Sequence, residues 1–427
     1  MVLIVFAAAI GIVVSFVGWG FLELVHQIQL WVFTNLPKDL GLDPVPRWWS
    51  LPVCTLAGLP VAFAIVRLPG NGGHVPANGL QMGGTEPNMV PGIALAALAT
   101  LGLGIVLGPE APLIAIGTGV AIFTVNLAKR DAAPQMVLVL GAAGSFAAIS
   151  VIFGSPLVAA ILVIEASGLG GATLSLIMIP GLVAAGVGSL IFIGMADWTG
   201  LSTSAYSLTP LHLASFGHPT LADIGWAILL GIGAALVTYP VRQIGLRVAR
   251  LVPTNPYVLI PIAGLAVAGL AIAYSYATGN SVSQVLFSGQ DALGGLVSNA
   301  GTYSVGTLLM LMLCKGVAWA VSLGSFRGGP TFPAMFLGAA GGIAASHLPG
   351  LPASPAIAVG IGAMTVAFLK LPLSAIVIAT ALTFSGGPGL VPLIIVGVVV
   401  AYIAILTIDG KVAAPAAPAT PSPPAPT

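Results

Sequence analysis

The chain has 427 residues, 58% of them hydrophobic and only 5% charged, with a formal net charge of +1. A soluble fold carries about 25% charged residues, so the composition excludes a water-soluble globule and makes the bilayer the solvent. The near-neutral balance supplies neither a basic arm for nucleic acid nor an acidic tail.

The first apolar run, residues 2–22, lacks a basic leading region and a small-residue cleavage site, and it reads as a retained helix. Further runs follow at 49–66, 89–107, 113–127, 137–152, 157–164 and 174–193. The second half has 224–241, 258–277, 305–323, 335–345, 356–369, 373–384 and 391–408. A straight crossing needs about 20 residues. Several runs are shorter and are interrupted by Gly or Pro, which predicts an all-α membrane protein with tilted, partial or re-entrant helices. The 56 glycines suit close helix packing. By the positive-inside rule Arg67, Lys129, Arg130 and the Arg242/Arg247/Arg250 cluster fall in cytoplasmic loops. Lys38 and Arg47 then fall in the loop after the first helix, on the other side. Cys54 and Cys314 lie in apolar runs, and the five histidines are scattered without ligand spacing, so no metal or cofactor is expected. Residues 412–427 are Ala/Pro/Ser-rich and are expected to be a disordered tail with no soluble domain after them.

A degenerate repeat runs through the chain. Pro109-Glu-Ala-Pro112-x4-Gly117 is matched in the second half by Pro330-Thr-Phe-Pro333-x4-Gly338. The segment starting Pro156-Leu157 is matched there by the one starting Pro372-Leu373. Two ordered matches at nearly one offset argue for a duplicated half, with the halves dividing near 203–220. Recurrence by chance in a Pro-rich chain is the competing explanation. Duplicated halves of transporters are often inverted, with the binding site where broken helices meet.

Three stretches carry candidate chemistry. The first, Leu68-Pro-Gly70-Asn71-Gly72-Gly73-His74, is a Gly-rich loop whose Asn71 amide and backbone N–H groups suit an anion. It lacks the Lys and Ser/Thr of a phosphate-binding loop. His74 is either a ligand or a satisfied polar residue. The second is Gly108-Pro109-Glu110-Ala111-Pro112, which sets one carboxylate between two apolar runs. Glu110 there stands at a helix N-terminus inside the membrane, where unpaired N–H groups and the helix dipole favour negative charge. A swinging carboxylate would compete with an anion for that place, as a gate and a proton carrier. The alternative is a Glu that only holds the break, although an ionisable group at membrane depth reads as functional by default. The third is Phe326-Arg327-Gly328-Gly329-Pro330-Thr331-Phe332-Pro333, the repeat mate of the second. It offers amides at Thr331 and Phe332, or else is a packing turn with Arg327 at an interface.

In this order the three stretches resemble the anion-site signatures of the CLC chloride channels and transporters. Phe153-Gly-Ser-Pro156-Leu157…Ile164-Glu165 and Lys370-Leu-Pro372-Leu373 resemble two further family segments, so the likeness spans about residues 1–411. The resemblance implies two inverted repeats, about 1–210 and 211–411, in a homodimer with one pore per subunit. It implies that Glu110 is the gating glutamate. It also implies that Gly70, Asn71, Gly72, Gly108, Ala111, Gly329, Thr331 and Phe332 line the path of chloride or a related small anion. The sequence departs from the family pattern at several positions. Asn71 replaces a serine and His74 a proline, which opens the path to nitrate, fluoride or other halides. Pro109 replaces a basic residue, Ala111 a glycine and Thr331 a phenylalanine. Ala166 stands where coupled exchangers usually keep an inner proton-accepting glutamate. The central tyrosine aligns near Ala413 and has no match.

The leading expectation is therefore a multi-pass membrane channel for chloride or a related anion. The runner-up is a proton-coupled chloride or fluoride antiporter on the same fold. An intramembrane enzyme using Glu110 and Glu165 lacks a nucleophile and a metal cluster. A pure scaffold would need neither broken helices nor a lone Glu110.

Overall fold

The computed structural model describes residues 2–82, 84–168, 171–201 and 208–410. The expected tail and part of the 203–220 boundary lie outside them. Every apolar run folds as helix, and among the described residues the sole β contact is one isolated bridge. Nine helices of the described chain are long and apolar enough to cross a bilayer, and five shorter apolar helices accompany them.

The first half contains α1 (Val2–Leu30), α2 (Leu36–Asp39), α3 (Ser50–Arg67) and α4 (Val90–Gly102). It continues with α5 (Glu110–Ala128), α6 (Pro134–Phe153), α7 (Pro156–Ser167) and α8 (Gly171–Thr199). The second half contains α9 (Leu221–Leu251), α10 (Pro256–Thr278), α11 (Gln290–Ser298) and α12 (Val305–Ser325). It ends with α13 (Thr331–Ser346), α14 (Ala353–Leu369), α15 (Pro372–Leu382) and α16 (Leu390–Ile408).

Several features differ from the sequence expectation. The helix expected at 224–241 runs on to Leu251, so Arg242, Arg247 and Arg250 lie on it and not in a loop. The first helix does not stop near residue 22. Its polar residues find partners, Gln27 donating to Glu23 at 2.7 Å and Gln29 to the Leu101 carbonyl at 2.9 Å. The helix therefore runs on through a π turn at Trp31–Asn35 into α2, which places Lys38 on a helix and not in a loop. The run at 89–107 gives a helix only to Gly102, because the chain turns at Gly104 with φ +87°. The short α11 was missed because it is polar at its start and too brief for an apolar-run criterion.

The duplication extends from motif to packing. In the first half α1 packs on α6 and α8, α5 on α6, and α6 on α7 and α8. In the second half α9 packs on α14 and α16, α13 on α14, and α14 on α15 and α16. Gly117 and Gly144 bring α5 and α6 so close that a Cβ on either would run into the other's backbone. Gly338 and Gly360, their mates in the second half, do the same for α13 and α14. Small residues of this kind let backbones touch where no hydrophobic force separates protein from lipid. Mates also meet across the middle, α3 against α10 and α7 against α15.

Candidate functional site

The two Pro-flanked breaks come together at the centre. Pro109 caps α5 and Pro330 caps α13, so Glu110 and Thr331 are the first residues of their helices. Just before each cap the chain is extended, and Gly108 and Gly329 form an antiparallel bridge. Gly108 N–H donates to the Gly329 carbonyl at 2.7 Å, and Gly329 N–H donates to the Gly108 carbonyl at 2.6 Å. The heads of two helices, one from each half, thus face one point. Their first amides have no intrahelical acceptor by position, and both dipoles present their positive ends there.

Glu110 occupies that point. It is fully buried, and its Oε1 accepts the Thr331 N–H at 2.5 Å, a bond that crosses from one half to the other. The Thr331 hydroxyl is buried and makes no hydrogen bond of normal geometry. Oε2 is likewise buried without one. Gly108 and Gly329 leave the room the carboxylate fills, since a Cβ on either would strike it. The Phe332 ring stacks on Phe153 with centroids 5.7 Å apart and closes the pocket from the α6 side.

The structure brings together Gly108, Glu110, Ala111, Gly329, Thr331 and Phe332. The Gly108 and Gly329 amides are consumed by each other. The other amides at the helix heads are those of Glu110, Ala111, Thr331 and Phe332, of which that of Thr331 is taken by the Glu110 carboxylate. The loop carrying Gly70, Asn71 and Gly72 reaches this centre indirectly. Asn71, in the left-handed region at φ +49°, is exposed, and its carbonyl accepts Arg327 Nε at 3.3 Å. The Arg327 amide donates weakly to Thr100 Oγ1 at 3.5 Å, so the loop, α4 and the α12–α13 break form one unit. His74, between the spanning helices, is held down at about 4 by burial with Arg327 beside it, so it is neutral at physiological pH.

Glu165 is not part of the centre. It caps α15, accepting the amides of Leu373 at 2.9 Å and Ser374 at 2.7 Å and the Ser374 hydroxyl at 2.6 Å. Glu110 and Glu165 thus share no partner, the one bound to the head of α13 and the other to the head of α15.

A model of the family described as Voltage gated chloride channel matches residues 74–405, most of the chain. The chain belongs to the CLC family. Among curated relatives, the YfeO protein of Escherichia coli O1:K1 / APEC, provisionally named for ion transport, is 29% identical over 354 residues. That alignment covers 82% of this chain and 80% of the relative. The YfeO protein of Escherichia fergusonii is 28% identical over the same length and shares. Among solved structures, a slow cyanobacterial Cl-/H+ antiporter superposes with a TM-score of 0.78 at 20% identity, covering 96% of this chain and 95% of its own. A CLC-type fluoride/proton antiporter gives 0.64 at 18% identity, covering 94% of each. A eukaryotic CLC transporter gives 0.71 at 17%, covering 95% of this chain and 71% of its own. At these identities the structures show the shared fold. Membership makes this CLC protein a multi-pass membrane transporter of anions and not an enzyme.

Two features of the CLC site were not foreseen. Lys315, in the middle of α12, is fully buried and donates to the consecutive carbonyls of residues 284–287 at 3.0–3.2 Å, with its ammonium 4.6 Å from the Phe336 ring centre. The rule that singled out Glu110, an ionisable group in an apolar run, also applied to Lys315 and would have found it. The pinned segment lines the second feature, a cavity of about 340 Å³ that reaches Pro109 and is walled by His26, Gln29, Gln290 and Asp291. These residues are far apart in sequence, and no local pattern joins them.

Proposed function

We propose that this CLC protein is a passive channel for chloride or a related small anion, with Glu110 as its gate. The observation that carries this reading is the Glu110 carboxylate seated on the Thr331 N–H at the head of α13. A negative group from one half fills the place that the dipole of the other half prepares for an anion. Withdrawal of the side chain leaves the amides of Glu110, Ala111, Thr331 and Phe332 for the ion, with Gly108 and Gly329 keeping the space open. The Gly70–Asn71–Gly72 turn forms the opposite mouth. In this reading residues 1–411 are one transmembrane unit of two halves, about 1–210 and 211–411, and two chains pair as a homodimer with a pathway in each.

The lean toward a channel rests on the far side of the protein. Ala166 has no proton to exchange, and neighbouring Glu165 is held by α15. A second reading, a proton-coupled chloride or fluoride antiporter, is favoured by the buried Oε2 of Glu110, which has a lone pair free for a proton. The antiport reported for two of the structural neighbours points the same way.

Flux from reconstituted liposomes separates the readings. Anions are exchanged one at a time while proton movement is followed in parallel. A channel gives a reversal potential at the anion's Nernst value without proton movement, and a fixed proton-to-anion ratio transfers the assignment to the antiporter. Absence of flux for every small anion tried would remove both.

A further inference from the structure

We propose that a cavity at one membrane face, where Arg47 lies over Tyr276, is a binding site for the headgroup of an anionic, glycerol-type phospholipid. The site lies off the Glu110 centre, so the inference goes beyond the transport reading and stands whichever form of transport the protein performs.

Two spanning segments meet there. One begins at Arg47, and α10 ends at Thr278. Between these ends lies a cavity of about 450 Å³, with Arg47, Trp49, Asn280, Ser281, Ser283 and Phe287 in its wall. Its size falls within the roughly 300–1,000 Å³ of small-molecule sites. The end of an apolar span marks the boundary between hydrocarbon and water. Trp48 and Tyr276 are 50% and 72% exposed at that level, where amphipathic rings anchor a protein among headgroups.

The chemistry of the wall selects the headgroup. The Arg47 guanidinium carbon stands 4.7 Å from the Tyr276 ring centre, and among the described residues no carboxylate pairs with it. A guanidinium held over a ring keeps N–H donors for two oxygens of a phosphate. No acidic residue lines the cavity, so an ammonium headgroup finds no counter-charge there. Glycerol hydroxyls do find partners, because Ser281 and Ser283 share one hydrogen bond of 2.9 Å and each hydroxyl keeps a further lone pair.

Two observations favour a lipid over a free ion. From Arg47 onward α3 exposes Leu56, Leu59 and Phe63, at the i, i+3, i+7 spacing of one helix face, which offers acyl chains an apolar track. The way inward is closed. Phe287 stands between this cavity and the one that reaches Pro109, stacked edge-on against Phe33 with centroids 5.0 Å apart. Lys315 holds that wall by the carbonyls of residues 284–287.

The test titrates the delipidated protein in detergent with dioleoyl-phosphatidylglycerol or dioleoyl-phosphatidylcholine and reads bound lipid by native mass spectrometry. The glycerol lipid should bind about tenfold tighter than the choline lipid, and Arg47→Gln should remove about that factor, the size of one charge-assisted contact. Ser281→Phe, which fills the cavity and leaves Arg47 in place, should weaken the same lipid. Lys38→Gln, a cation outside the wall, should not. Equal affinity for the two lipids, a folded Arg47→Gln that binds like the natural protein, or an equal loss in Lys38→Gln overturns the proposal. If Arg47→Gln does not fold, Ser281→Phe decides, with loss of the lipid supporting the site and retention overturning it. Glycerol phosphate that displaces the lipid as effectively as the lipid itself would show a site for free phosphate and overturn the assignment to a phospholipid.

Discussion

Glu110 shows how one side chain joins both halves of the molecule. It begins α5, yet its carboxylate bonds to the first amide of α13. Hydrogen bonds to a charged acceptor are worth about 1.5–3 kcal/mol, enough to hold the side chain in place and, for the proposed gate, little enough to be exchanged for an ion. Replacing Glu110 by Gln keeps the shape and removes the charge and the titrating proton. Glu110→Gln should therefore keep or raise anion flux and abolish its pH dependence in the same liposome assay. A folded variant without flux would count against the gate. Lys315 is the counterexample to any rule that buried ions must bond to one another, since its ammonium is satisfied wholly by carbonyls and a ring.

At the scale of elements, the helix breaks were legible and their partners were not. Pro112 and Pro333 marked the first turns of α5 and α13, because a proline there gives up no intrahelical hydrogen bond. That Glu110 reaches across to Thr331 depends on the fold, and nothing local to residues 108–112 encodes it. The same limit hid the role of Glu165, which the sequence presents as a motif residue and the fold uses as the N-terminal cap of α15. Glu165→Ala leaves two amides and a hydroxyl without their carboxylate. It should lower stability by about 1–3 kcal/mol and leave anion flux in place. Thermal unfolding in detergent and the flux assay check the two halves of that expectation. A stable variant that has lost flux would return Glu165 to the pathway.

For the whole molecule, the duplication is the organising fact. A nearly constant offset recurs in the Pro-capped breaks, in the starts of α7 and α15, and in the glycine pairs that draw α5 to α6 and α13 to α14. The equivalence has a stability consequence. Gly117→Val and Gly338→Val each force a side chain into a neighbouring backbone, and each should cost about 1–3 kcal/mol or more. Similar losses in thermal unfolding are expected, and a large loss at one site with none at the other would show that the halves do not share their packing. The halves diverge at the breaks themselves. One break carries Glu110 and the other Thr331, so the carboxylate and the amide that it engages are complementary and not duplicated.

The Gly108–Gly329 bridge adds a mechanical condition. Each partner's only amide and its carbonyl are both committed, so retreat of either helix head would strand buried polar groups on both. Rotation about the bonds of a single side chain escapes that penalty. For the gate proposed above this means that the address stays fixed while the tenant changes, by side-chain motion far faster than any rearrangement of the helices.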